Sequence, residues 1–266
     1  KKGLIDAGKH YLKKQKRSIG ISEEEIIKIA INTLGLNELS DFNPKERIIE
    51  YMLEDLSKEK LVNLNLVDFA NETSSESPAP GGGSISAYCG SLGAALATMV
   101  ANLSSHKRGW DDRWEEFSEW AEKGLDYQNK LLDLVDEDTN AFNKIMEAYR
   151  LPKSTDIEKE KRNKSIQDAT KNAIMVPFSI MEISAASLEV TKMMAEIGNP
   201  NSVTDAGVGA LCARTAVMGA FLNVKINCKD YKDKSFVDNI LKQGQEIVDS
   251  SVKSEKEILE IVESKI

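Results

Sequence analysis

Apolar residues recur at helical spacing along most of the chain, and no stretch alternates with a period of two. Ser22 stands before Glu23-Glu24-Glu25, a helix start with Glu25 where a capping box places it. Ile26, Ile27, Ala30, Ile31 and Leu34 follow on one face, and Gly35 stops the run. Asn43-Pro44 opens a second helix with Ile48, Ile49, Met52 and Leu53 as its apolar face. The sequence turns polar after Leu56, which places a boundary near Ser57. A short helix over 65–71 leads into Glu72-Thr73-Ser74-Ser75-Glu76-Ser77-Pro78-Ala79-Pro80-Gly81-Gly82-Gly83-Ser84, a long loop signal. Beyond it the pattern predicts helices over 85–105 and 111–149, the latter single or divided at Gly124. A further helix starts at Thr155 and carries Pro177, which predicts a kink. Two more cover 202–227 and 234–266, after a break at Gly198-Asn199-Pro200. Long helices joined by short connections predict an all-α, up-and-down antiparallel helical bundle. The helix over 85–105, rich in Gly, Ala and Ser, suits close packing in the bundle core or a dimer interface.

Composition narrows this picture. The chain is 41% hydrophobic and 29% charged, a globular balance, and no apolar run is read as reaching the ~18–20 residues that span a bilayer. A formal net charge of −8 argues against nucleic-acid binding. Cys89, Cys212 and Cys228 are scattered, with no CxxC spacing, and only His10 and His106 are available as imidazoles. These numbers predict no disulfide framework, no metal site and a cytoplasmic location. The chain begins at Lys1 within an amphipathic pattern and reads as part of a longer polypeptide; its basic first residues read as a solvated helix face.

Candidate chemistry starts with a carboxylate in the wrong place. Leu131, Val135, Asp138, Phe142, Ile145 and Tyr149 are spaced four and three apart, so Asp138 occupies a core position of the stripe, with Asp133 and Asp136 off it and solvated. An acid facing an apolar interior is held toward its neutral form, which suits a general acid/base; a structural Asp bonded to a neighbouring helix is the alternative. Asp205 begins a helix and either caps it or points inward. Asn223 and Asn227 share a helix face and either bind the edge of a ligand ring or tie two helices together. Gly81, Gly82 and Gly83 before a helix permit close backbone approach by a ligand or a helix, and the spacing is not that of a nucleotide P-loop. His106, Lys107, Arg108 and Arg113 form a basic cluster that either holds substrate carboxylates or caps a solvated helix end.

Four blocks in order resemble the formimidoyltetrahydrofolate cyclodeaminase family: Glu76 to Ser84, Leu134-Val135-Asp136-Glu137-Asp138-Thr139-Asn140-Ala141-Phe142, Leu151-Pro152-Lys153, and Asn223-Val224-Lys225-Ile226-Asn227. The run Phe42-Asn43-Pro44-Lys45-Glu46-Arg47-Ile48-Ile49-Glu50-Tyr51 resembles the junction of the bifunctional formimidoyltransferase-cyclodeaminase. The resemblance implies a transferase tail and linker over 1–57 and a cyclodeaminase domain over 58–266. It implies a helical bundle that forms a homodimer or higher oligomer, with active sites in a cleft of the dimer. It implies a folate substrate, with or without a polyglutamate tail, and no separate cofactor, metal, membrane or nucleic acid. Asp138 matches the family's catalytic acid/base, and Pro80, Gly81, Gly82, Gly83, Ser84, Asp205, Asn223, Asn227, Lys107 and Arg108 are the expected substrate-binding residues. The implied reaction closes 5-formimidoyltetrahydrofolate to the 5,10-methenyl compound with loss of ammonia. The alternatives are a methenyltetrahydrofolate cyclohydrolase, which acts on the same bridge with water, and a non-catalytic helical dimerisation module, which predicts a salt-bridged Asp138 with no pocket around it.

Overall fold

The computed structural model describes residues 1–38, 40–53 and 60–266, and those residues form helices and no strands. The boundary expected near Ser57 lies outside the described residues. In chain order the helices are α1 (Lys2–Lys14), α2 (Glu23–Thr33), α3 (Pro44–Arg47), α4 (Ile49–Met52), α5 (Leu66–Thr73), α6 (Gly82–Ser105), α7 (Trp114–Arg150), α8 (Asp156–Ile197), α9 (Val203–Asn227) and α10 (Lys234–Glu263). The last five make the up-and-down bundle.

Most local signals act as the pattern predicts. Ser22 accepts the Glu25 N–H at the start of α2, and Gly35 ends that region with φ +67°. Asn65 caps α5 and Thr155 forms a capping box with Glu158 at the start of α8. The helix expected after Pro44 is different. It breaks at Ile48, which is extended and buried, whereas Ile49, Met52 and Leu53 are exposed rather than a packed face. Helix α7 runs unbroken through Gly124, where an added Cβ would meet Thr98 Oγ1 of α6 at 2.3 Å. The glycine is there for helix contact and breaks nothing. Helix α8 likewise continues through Pro177.

Helix α6 lies in the core, with Ser84, Ala87, Ala94, Ala97, Val100 and Ala101 buried. It packs antiparallel to α9: Gly82 lies against Asn223, Gly219 against Ser86, and Gly93 against the Gly209 carbonyl. Backbones this close need small side chains on both helices. Two apolar clusters fill the bundle. One, around Leu131, Val135, Ile174, Met181, Val217 and Phe221, sits near the N-terminus of α6. The other, around Val100, Phe117, Val190, Met194, Ala210 and Ile258, sits near its C-terminus.

The expectation about membrane-spanning length is not met. The helices Gly82–Ser105 and Asp156–Ile197 and the segment Pro200–Asn227 each contain an 18-residue window long and apolar enough to cross a membrane by length and composition. Ala and larger apolar residues raise the hydropathy of the first and third, and half or more of each window is buried inside the bundle (61%, 61% and 50%).

The N-terminal hairpin of α1 and α2 docks where α6 ends. Ile19 N–H donates to Ser118 Oγ at 3.0 Å, Asn102 Nδ2 donates to the Gly20 carbonyl at 2.8 Å, and an added Cβ on Gly20 would strike the Ala121 backbone. Ser18 N–H donates to His106 Nε2 at 3.4 Å, so that nitrogen is unprotonated; burial and the nearby Arg17 lower the His106 pKa, in the same sense.

Candidate active site

The loop before α6 supplies no capping side chain, because its N-cap is Gly81. The first-turn N–H groups of a helix need acceptors. Asp138, from the middle of α7, provides one: its Oδ2 accepts the Ser84 N–H at 2.9 Å and lies 3.1 Å from Ser84 Oγ. Gly83 makes this docking possible, since a Cβ there would fall 2.1 Å from Asp138 Oδ1. The carboxylate thus sits where the partial positive charge of the helix start is strongest.

Asp138 Oδ1 has no hydrogen bond among the described residues, and it is not one of the buried, unpartnered polar atoms, so it remains accessible. Burial pushes the Asp138 carboxyl above the ordinary carboxylate range, and the two bonds from Ser84 pull it back. The residue forms no ion pair among those described.

Asp138 opens into a cleft of about 130 Å³, lined also by Gly81, Gly82, Thr139, Phe142, Asn223 and Asn227. Asn223 Nδ2 bonds back to the Gly219 carbonyl at 3.0 Å, and its amide stands beside Gly82. Asn227 Nδ2 donates to the Ala173 carbonyl at 2.7 Å. That carbonyl lies four residues before Pro177, which has no N–H to give it. Asn227 therefore ties α9 to α8 at a gap in the helical ladder, while forming part of the cleft wall.

Several expected site residues need correction. Pro80, Gly83 and Ser84 are buried behind the cleft surface, and Ser84 serves Asp138 rather than a ligand. Asp205 is in the first turn of α9, and Lys107 and Arg108 follow the end of α6. All three lie at the far end of two antiparallel helices from Gly82 and Asn223, roughly 30 Å along the axis at 1.5 Å per residue. One chain does not bring them to Asp138, and Lys107 Nζ instead sits 4.1 Å from the centre of the Trp110 ring. Phe142 and Tyr149 are exposed rather than core residues, 38% and 48% accessible, because the buried stripe of α7 moves to Ala141 and Ala148. Phe142 is thereby free to line the cleft. Asp136 is not simply solvated: it is half-buried and accepts the Leu61 N–H at 2.7 Å. Thr139, Phe142 and Ala173 were not expected as cleft residues; the Thr139 signal was present in its position next to Asp138.

Fold and site define an all-helical protein with a partly buried carboxylate anchored at a helix start and open on one side to a polar cleft. The model of the formiminotransferase-cyclodeaminase family matches residues 65–246, and that of the formiminotransferase domain matches residues 1–54. The chain belongs to the formiminotransferase-cyclodeaminase family. It is 40% identical to the formimidoyltransferase-cyclodeaminase of Gallus gallus over 89% of its own length and 44% of that protein's, so it spans under half of that relative. It is 34% identical to the methenyltetrahydrofolate cyclohydrolase of Methylorubrum extorquens over 77% of this chain and 98% of that one. The crystal structure of formiminotetrahydrofolate cyclodeaminase from Thermotoga maritima superposes with a TM-score of 0.68 at 28% identity, covering 77% of this chain and 98% of that one.

Proposed function

We propose that this chain converts 5-formimidoyltetrahydrofolate to 5,10-methenyltetrahydrofolate and releases ammonia, with Asp138 moving the proton. The observation that carries this is the split carboxylate: Oδ2 fixed by Ser84, Oδ1 unbonded and accessible. N10 of the folate attacks the carbon of the protonated amidine on N5, whose nitrogen already carries two protons, and closes the ring to a cyclic aminal. Asp138 Oδ1 takes the N10 proton and gives it to the departing nitrogen, which leaves as ammonia while the N5–carbon–N10 bridge becomes the methenyl cation. A carboxyl raised toward neutrality by burial both accepts and returns a proton with little cost. Asn223 and Asn227, on the opposite wall, supply amide groups to the edge of the folate ring, and Phe142 offers an aromatic face.

The cleft of one chain is small beside the ~300 Å³ or more that a ligand of this size fills. A second copy completes it in this proposal. Ile85, Leu92 and Met99 of α6 and Val208, Leu211 and Leu222 of α9 form an exposed apolar face next to the cleft, of a kind that marks interaction surfaces. A two-fold axis across the middle of that face reverses the helices, so the partner's far helix ends approach this cleft. Residues such as Asp205, Lys107 and Arg108 then serve a neighbour's substrate. Light scattering at micromolar concentration checks the dimer, and a stable monomer counts against it.

We further read residues 1–57 as transferase tail and linker, 58–266 as the cyclodeaminase domain, the apolar helices as bundle core, the location as cytoplasmic, and the folate as needing no added metal or cofactor. The second reading, a methenyltetrahydrofolate cyclohydrolase, draws on the Methylorubrum extorquens relative, nearly all of which aligns. The formiminotransferase match over residues 1–54 favours cyclodeamination. One assay separates them: absorbance of methenyl-folate formed from 5-formimidoyltetrahydrofolate, with ammonia measured in parallel. Cyclodeamination predicts equal amounts of both products, whereas hydrolysis of added methenyl-folate without ammonia formation supports the cyclohydrolase.

A further inference from the structure

Ser84 is fully buried, so it does not touch a ligand in the cleft, and the reaction above gives it no part beyond holding Oδ2. Its hydroxyl carries one proton and has three oxygen neighbours: the Val135 carbonyl at 3.0 Å, Asp138 Oδ2 at 3.1 Å and Thr139 Oγ1 at 3.3 Å. The carbonyl and an ionised carboxylate only accept, so a single proton must choose between two acceptors at nearly the same distance. The Ser84 N–H stays on Oδ2 at 2.9 Å whichever is chosen.

Resting on the reading of Asp138 as the proton shuttle, we infer that Ser84 is a positioning residue whose hydroxyl turns with the shuttle's charge. It points to Asp138 Oδ2 while the carboxylate is ionised, and to the Val135 carbonyl once Oδ1 has taken a proton. A hydrogen bond to an ionised oxygen is roughly twice as strong as one between neutral groups, so the carboxylate wins the hydroxyl. Protonation on Oδ1 leaves Oδ2 an ordinary acid carbonyl, and the peptide carbonyl competes again. When the Ser84 hydroxyl faces Oδ2, Thr139 Oγ1 is placed to donate to its free lone pair. No heavy atom has to move. The transferred proton goes from N10 to Oδ1 and on to the departing nitrogen, while the Ser84 proton never leaves its own oxygen.

Among the described residues, the other group that offsets the burial of the carboxylate is the Ser84 N–H. The cleft lining carries, among the described residues, no charged side chain other than Asp138 itself. Lys225, between the two asparagines in sequence, has its Nζ 4.0 Å from the centre of the Phe221 ring. On α7, Asp136 is engaged by Leu61 and Glu137 is exposed.

The test is a titration of the Asp138 carboxyl by NMR of carboxyl-¹³C-aspartate protein, assigned with D138N, beside the pH profile of kcat/KM for wild type, S84A and S84T. Losing the hydroxyl removes a bond that favours the ionised form, so S84A should titrate about one pH unit higher. Activity needs the ionised carboxylate, so its acid limb should move to higher pH by the same amount, and S84T should move both back. An unchanged titration in S84A, with activity lowered equally at every pH, overturns the inference. D138N that keeps wild-type turnover overturns the shuttle reading instead; the carboxyl titration then still decides whether Ser84 holds the charge.

Discussion

Helices α6 and α8 solve the same problem in opposite ways. Each must satisfy the N–H groups of its first turn. Helix α8 does it locally: Thr155 Oγ1 accepts the Glu158 N–H at 3.2 Å, and Glu158 reaches back to the N–H groups of Thr155 and Ser154 at 2.9 and 2.8 Å. Helix α6 has glycine at its cap and borrows Asp138 from α7, 54 residues from Ser84. Both carboxylates accept backbone N–H groups, yet their acidities move apart. Those bonds hold half-exposed Glu158 below its ordinary range, whereas burial holds Asp138 above its own. The same hydrogen bond thus makes a cap in water and, in the proposed reaction, a proton carrier at the edge of a core. Solvation, rather than the bond, decides which.

The comparison breaks most sharply at Asp138. Replacing it by Asn keeps an acceptor for Ser84 but removes the proton shuttle. We expect D138N to lose on the order of 10²-fold or more in kcat, the usual worth of general acid/base catalysis. Its Tm should be unchanged or raised, because a carboxylate that is costly to ionise has gone. The sign of the pH effect follows from the raised pKa. Asp138 favours the folded state while protonated and loses that contribution as pH rises through its folded pKa. Wild type should therefore lose stability relative to D138N over that rise, as thermal melts across pH will show. Asp133 is exposed and is the control; Asp136, which holds Leu61, is a poorer one. D133N with the larger loss would mean that the wrong carboxylate has been chosen.

Gly83 sharpens the contrast, because α8 needs no such gap. A methyl at Gly83 would occupy the position of Asp138 Oδ1, and the flexible side chain is what must yield. G83A should therefore lower kcat by tenfold or more, from displacement of an acid/base worth about 10²–10⁴-fold, with a modest fall in Tm. At Gly82 the added Cβ would meet Asn223 Nδ2 at 3.2 Å, a contact that a small amide shift relieves. G82A should be the milder in turnover. Equal effects of the two on rate and on melting would return both glycines to a purely packing role.

These differences track what a sequence can disclose. The helices, the Ser22 cap and the helix start at Thr155 are written within a few residues of where they act, and they were legible. The Asp138 stripe position was also legible, since helical spacing alone placed a carboxylate among apolar residues. Its partner was not, because nothing in the local pattern says that the start of α6 lacks a cap and meets α7 at that height. Ser84 was taken for a ligand contact for the same reason. Lys107, Arg108 and Asp205 looked like site residues on chemistry and resemblance; the length of α6 and α9 carries them to the other end, where the proposed second copy has to bring them to a cleft. Phe142 was misplaced by one position in the stripe: a 37-residue helix drifts against a seven-residue repeat, and its buried side moves to Ala141 and Ala148.

Asn227 offers a second remote repair of a helix, this time of an acceptor. Its Nδ2 serves the Ala173 carbonyl left free by Pro177. N227A should cost about 1–3 kcal/mol, the usual penalty for a buried polar group left unpaired. Substituting Pro177 as well returns an N–H to the ladder, so P177A should cost less in the N227A background than in wild type. Thermal or urea unfolding of the four proteins in a double-mutant cycle gives the coupling. Additive losses would mean that Asn227 serves the cleft and not the helix.

The smallest effect belongs to the local cap, and it tests the other half of the contrast. Thr155 is exposed, Glu158 is half-exposed, and neither lines the cleft. T155A removes an N-cap and should cost about 1 kcal/mol of stability. Turnover should be unchanged at every pH, because no proton that α8 handles reaches the substrate. E158Q should remove a pH dependence opposite in sign to that of Asp138. Glu158 has a lowered pKa, so its contribution is present above its unfolded pKa and is lost as pH falls through the folded one. Melts of E158Q and wild type should therefore converge on acidification, whereas those of D138N and wild type diverge as pH rises. If T155A or E158Q instead moved the acid limb of kcat/KM, the two helix starts would be electrostatically coupled, and burial alone would no longer account for the difference between their carboxylates.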